Sequence, residues 1–114
     1  MERRQHTRVP IEDVTVEIYT PDGDPDSPEV CTILNISETG MLFEATDSYP
    51  PKQLLRLTFV LPDSMVIIRT DATVIHTRRQ WDGQHVGVKF GKLGALERRE
   101  IKQFVERWNS TRDR

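Results

Sequence analysis

The sequence predicts a mainly β domain, a six-stranded antiparallel barrel with one C-terminal helix. Three observations predict it. Short segments of alternating apolar and polar residues recur along the first 90 positions, with turn-rich stretches between them. Past residue 94 the apolar spacing changes from a period of two to the helical one. The chain has 114 residues, enough to bury one core and little more. Many short strands around one core leave exposed edges unless they close on themselves.

Each element follows from its own pattern. Residues 1–10 carry no strand or helix period and read as a flexible arm bearing arginines, ended by Pro10. Val14, Val16 and Ile18 alternate with Thr15, Glu17 and Tyr19, a half-buried strand. Residues 20–28 are rich in Pro, Asp and Gly and form a loop. Residues 29–34 are the second strand, Asn35–Gly40 a polar turn, and Met41–Ala45 the third strand. Tyr49-Pro50-Pro51 breaks the chain before Leu55, Leu57, Phe59 and Leu61 line one face of a fourth strand. After the turn at Pro62-Asp63-Ser64, Met65 to Arg78 make a long or bent fifth strand, with Val66, Ile68, Ala72 and Val74 on one face. Asp82-Gly83 predicts a type I′ hairpin turn, and Val86, Val88 and Phe90 mark the sixth strand. Ile101, Phe104, Val105 and Trp108 fall at i, i+3, i+4 and i+7, one helical stripe. Gly94 is its N-cap, and Leu96 extends the stripe. Arg99, Lys102, Glu106 and Arg107 take the opposite face. The expected organisation is one domain: arm 1–10, barrel 11–92, helix 93–110.

Composition narrows the function. Sixteen Lys and Arg face eighteen Asp and Glu, a net charge of −2, whereas a bulk DNA or RNA binder is basic. Positive charge is local instead: Arg3, Arg4 and Arg8 against Glu2 give residues 1–10 a net +2. Asp22, Asp24, Asp26 and Glu29 make the first loop acidic. No apolar stretch approaches the length that inserts into a membrane, and no secretory leader is visible. The single cysteine, Cys31, lies in an apolar run and reads as a buried core residue; the expected location is cytoplasmic. No Ser/His/Asp or Cys/His set argues for catalysis, so no enzyme and no cofactor are expected. His76 and His85 have no partner at metal-ligand spacing, and no metal site is expected.

Two polar clusters remain. One is Arg4-x-x-x-Arg8 with Arg3 beside it. Arginine presents a planar fork of donors that fits a phosphate, or the O6/N7 edge of guanine, and its face stacks on purines. The other is Asn35-x-Ser37-x-x-Gly40, at the turn between the second and third strands. Asparagine suits turns, serine offers a hydroxyl to phosphate or base, and glycine permits positive φ and a close backbone approach. A locally basic arm beside a polar turn suits a small anionic ligand. Either cluster alone is a common surface feature.

Together, in this order and spacing, they resemble the PilZ domain. That family carries Arg-Arg-x-x-x-Arg before its first strand and Asp/Asn-x-Ser-x-x-Gly between its second and third. Here these are Arg3, Arg4 and Arg8, then Asn35, Ser37 and Gly40. Val86–Phe90 is similar to the family's last strand, and the helix from about Gly94 to Asn109 to its C-terminal helix. The resemblance implies recognition of cyclic di-GMP, with Arg4 and Arg8 gripping guanine and phosphate groups. It implies that Asn35, Ser37 and Gly40 shape the shelf beneath.

The expected function is a cyclic di-GMP receptor that orders its arm on binding and signals in trans to an unidentified protein effector. The alternative is a nucleotide-independent PilZ-like protein–protein adaptor. Other polar and aromatic residues have plainer readings. His6 is solvent-exposed on the arm, although it could touch the ligand. His76, His85, Arg78 and Arg79 are surface groups. Trp81 packs on its hairpin or stacks on a guanine, and Trp108 is core.

Overall fold

The computed structural model describes residues 8–112. Seven strands, β1 (Val9–Pro10), β2 (Thr15–Tyr19), β3 (Glu29–Ile36), β4 (Gly40–Ala45), β5 (Leu54–Val60), β6 (Ile67–Gln80) and β7 (Gly83–Phe90), precede α1 (Ala95–Arg112). All strand pairs are antiparallel, in the order β1-β3-β2-β5-β6-β7-β4. A further β3–β4 pairing closes six of them, β2 to β7, into a barrel, as the sequence predicts.

The added strand, β1, departs from the expected arm. Val9 pairs with Ile36 and Pro10 with Asn35, on the β3 edge that β2 also lines further along. Val9 is fully buried, which holds this two-residue piece in place despite the proline. Pro10 costs little here because an outer piece of two residues needs few donors. Asp13, at φ 62°, kinks the chain between β1 and β2.

One core fills the barrel. Val16, Ile18, Ile33, Ile36, Phe43, Leu57, Ile68, Val74, Val86 and Val88 supply its inward rows. Thr70 shares the inward face of β6 with Ile68, Ala72 and Val74. Helix α1 adds Ile101, Phe104 and Val105 to the same core, with Trp108 partly buried beside them. The strand directions put the turns after β3, β5 and β7 at one mouth of the barrel, and α1 covers it. Its Arg107 donates to Asp63 in the β5–β6 turn at 3.3 Å. Gly94 is the cap: its carbonyl accepts the Arg98 amide at 2.9 Å. Leu96 is half exposed rather than part of the stripe, and Leu93 packs on the core instead.

Two features depart from plain alternation. The β3–β4 register shifts between Ile33 and Asn35, and the β6–β7 register between Val74 and His76. Each extra residue reverses which following side chains face outward. The last hairpin also differs from expectation. Gln80 pairs with Gly83, so Trp81 and Asp82 form the turn, and neither has positive φ. Gly83 instead opens β7, where a Cβ would crowd the Ala45 carbonyl. Trp81 stands 95% exposed at that tip and packs on nothing.

Candidate functional site

The site begins where β1 lies along β3. Because Val9 points into the core, Arg8 and Pro10 point outward. The bulge at Leu34 turns Asn35 outward on the neighbouring strand while Ile36 stays inside. The Arg8 Nη1 therefore donates to the Asn35 Oδ1 at 3.1 Å, in a half-buried position. The two sequence motifs, 27 residues apart, meet at this bond. A guanidinium fork carries five donors in fixed geometry, and this bond orients it over the barrel wall.

Ser37 and Gly40 build the turn below. Ser37 is 1% exposed. Its hydroxyl accepts the Thr39 amide at 3.3 Å and the Gly40 amide at 3.2 Å. Its own amide donates to the Gly40 carbonyl at 2.9 Å. The hydroxyl thus shapes the turn from inside. Gly40 also has a different reason from the expected one. It does not adopt positive φ, but a Cβ there would overlap the Val88 carbonyl oxygen of β7. Glycine lets β4 and β7 close the barrel at the turn.

Arg3 and Arg4, and His6 with them, lie outside the described residues. Arg8, Asn35, Ser37 and Gly40 come together. Thr39, exposed and within reach of the Ser37 hydroxyl at 3.4 Å, is a polar neighbour that sequence reasoning passed over.

At the opposite mouth, Glu29 braces β3 against the β4–β5 connection. Its carboxylate accepts from the Tyr49 hydroxyl and from the Thr46 amide and hydroxyl. Burial opposes its charge, but these bonds outweigh that and hold its carboxyl below the usual range. Burial pushes the Cys31 thiol and the Tyr49 phenol up, so both stay protonated. Cys31 is a core residue of low reactivity. Among the described residues no group of three His, Cys, Asp or Glu could hold a metal ion. Among them, no helix is long and apolar enough to cross a membrane.

The same architecture recurs in solved structures. The Bacillus subtilis inhibitor of motility MotI/DgrA superposes with a TM-score of 0.83 at 22% identity, covering 100% of this chain and 55% of that one. The MrkH–c-di-GMP complex of K. pneumonia gives 0.80 at 15% identity, covering 100% of this chain and 55% of that one. The PilZ domain of YcgR from Escherichia coli, solved with c-di-GMP, gives 0.70 at 11% identity, covering 96% of this chain and 94% of that one. The chain therefore spans about half the length of the first two, 55% in each case. Among curated proteins no sequence matches significantly. The family model described as PilZ domain matches residues 2–107, which takes in both motifs, all seven strands and most of α1. The chain belongs to the PilZ domain family.

Proposed function

We propose that this chain is a cyclic di-GMP receptor. The observation that carries the reading is the Arg8–Asn35 bond at 3.1 Å, which brings residues of the two motifs together on one face. Structures similar in fold, MrkH and YcgR, were solved with c-di-GMP, which supports the same ligand class here. Arg3 and Arg4 stand five and four residues before Arg8 in the chain and would add two further guanidinium forks. An arm that orders on binding costs roughly 1–2 kcal/mol per residue in backbone entropy, so several charge-assisted bonds must form together.

The output is a changed surface at that face, read in trans by a protein partner. A lone, buried, protonated thiol suits the reducing cytoplasm. Calorimetric titration of the wild-type chain with cyclic di-GMP is the test. Saturable binding that Arg4→Ala and Arg8→Ala each weaken strongly is the expected result. A flat wild-type titration alongside a recovered protein partner would favour the nucleotide-independent adaptor.

A further inference from the structure

Positive charge gathers at one edge of the mouth that α1 covers. From Lys89 to Lys102 the chain carries five bases, Lys89, Lys92, Arg98, Arg99 and Lys102, against two acids, Glu97 and Glu100. That is a net +3 in a chain whose total is −2. All five bases are exposed. Among the described residues none of the five makes a salt bridge. Glu97 turns back toward Gly94 instead of toward a base. Arg98 and Lys102 stand four apart on α1, and like charges at that spacing repel.

The shape beneath these bases separates them from an ordinary solvated surface. Two adjoining cavities run under them. One, of about 320 Å³, lies between the β3–β4 turn and α1, with Glu38, Thr39, Lys89, Leu93 and Arg98 in its lining. The other, of about 500 Å³, continues from Leu93 and Arg98 to Arg99 and Lys102. Leu93 is half buried and packed on the core, so it gives the groove an apolar floor. Glu38 is the one acid in either lining among the described residues. The Phe90 amide donates to the Thr39 carbonyl at 2.8 Å, which fastens the groove to the turn that carries Ser37 and Gly40.

We propose that this groove docks an acidic segment of a partner protein. An apolar side chain of that segment covers Leu93, and carboxylates lie on either side of it. Arg98 and Arg99 take the carboxylates with their forks, and Lys89 and Lys102 hold the two ends by charge. A recessed apolar floor suits a peptide better than a nucleic acid, which stacks its bases on open aromatic faces; Phe90, the aromatic ring of this groove, is buried. The proposal deepens the reading of output in trans and rests on it for the link to the ligand motif.

The test uses the full chain and a fluorescein-labelled peptide in which paired glutamates flank a single leucine. Its anisotropy saturates, and the same peptide with lysine in place of glutamate stays free. In amide-resolved NMR the acidic peptide shifts Lys89, Leu93 and Arg98 and leaves Arg79, beside the β6–β7 tip at the opposite mouth, in place. Arg98→Glu and Lys102→Glu each lower the affinity about tenfold, whereas Arg79→Glu, an equally exposed reversal, leaves it unchanged. Matched thermal unfolding curves verify the fold of each variant. A flat anisotropy, or an equal loss in Arg79→Glu, overturns the proposal. Tighter capture of phosphatidylserine vesicles or of single-stranded RNA through the same bases overturns it too, in favour of a membrane or a nucleic acid. Cyclic di-GMP titrated into Arg98→Glu keeps the two readings apart. Wild-type nucleotide affinity with the peptide lost supports the groove, and loss of both assigns the base to the nucleotide site and overturns it. Peptide binding by a wild-type chain that takes up no cyclic di-GMP leaves the groove standing and overturns the receptor reading.

Discussion

Arg8 and Asn35 form a side-chain hydrogen bond that ties the N-terminal motif to the β3–β4 turn motif. Its direction matters: the guanidinium donates and the amide oxygen accepts. An acceptor oxygen at position 35 is therefore what the arrangement requires. Arg8→Ala removes both the ligand donor and this tether. A lost charge-assisted bond is worth about 3 kcal/mol, so affinity for cyclic di-GMP falls about a hundredfold in calorimetry. Arg8→Lys recovers little of it, because an ammonium cannot present the fork. Asn35→Asp keeps the acceptor and stays near wild type, whereas Asn35→Ala weakens binding about tenfold. Equal losses in the aspartate and alanine variants would contradict the tether.

Ser37 and Gly40 affect stability before they affect binding. Ser37→Ala leaves the Thr39 and Gly40 amides without their acceptor inside a closed turn. It lowers unfolding free energy by about 1–2 kcal/mol in a urea titration. Gly40→Ala drives a methyl into the Val88 carbonyl and costs about 1–3 kcal/mol, since β4 and β7 must part. Both variants, measured well below their unfolding midpoints, bind cyclic di-GMP better than Arg8→Ala does. A stability for Gly40→Ala equal to wild type would refute the close approach.

The barrel, the core rows and the helix stripe are legible in the sequence because periods of two and 3.6 report burial directly. Val16 and Ile18, Leu57 and Phe59, and Ile101 with Phe104 and Val105 are all buried as their spacing demands. The motif residues are legible as a set, but their division of labour is not. Whether the Ser37 hydroxyl turns inward depends on the backbone amides it meets, and Gly40 answers to a strand 48 residues away, at Val88. The bulges at Leu34 and Ile75 are hidden for a related reason. A single extra residue in an apolar strand leaves composition unchanged while reversing which side chains face out. That is why the register, and not the composition, explains how His76 and Arg78 come to face outward after the inward Val74. The paired Val9 is likewise invisible as a strand, since two residues are too short to show a period.

Ionic strength tests the part of the clamp that precedes Arg8. On the cyclic di-GMP reading Arg3 and Arg4 attract the ligand through charge, and screening at about 0.5 M salt confines such attraction to a few ångströms. Wild-type affinity falls severalfold between 0.05 and 0.5 M salt, in calorimetry. Arg4→Ala lowers affinity at both concentrations and flattens the slope. A wild-type affinity indifferent to salt would leave the basic arm with no electrostatic part in binding.

Glu29 sets how the fold responds to acid. Its carboxyl is held below the usual range in the folded chain, burial opposing its charge but the Tyr49, Thr46 and Asp47 bonds prevailing. As pH falls, the unfolded chain therefore takes up this proton first. The stabilisation is fully present above the ordinary glutamate value of about 4.3 and is lost as pH drops through it toward the folded value. Glu29→Gln keeps an acceptor but not the charge. It is less stable than wild type by about 1 kcal/mol at pH 7, and the gap closes toward pH 3. Acid unfolding driven by the other carboxylates acts on both proteins and cancels in the difference. Thermal unfolding of the pair across that range is the measurement. A gap that holds constant from pH 7 to 3 would mean the Glu29 charge plays no part in bracing β3 against the chain between Thr46 and Tyr49.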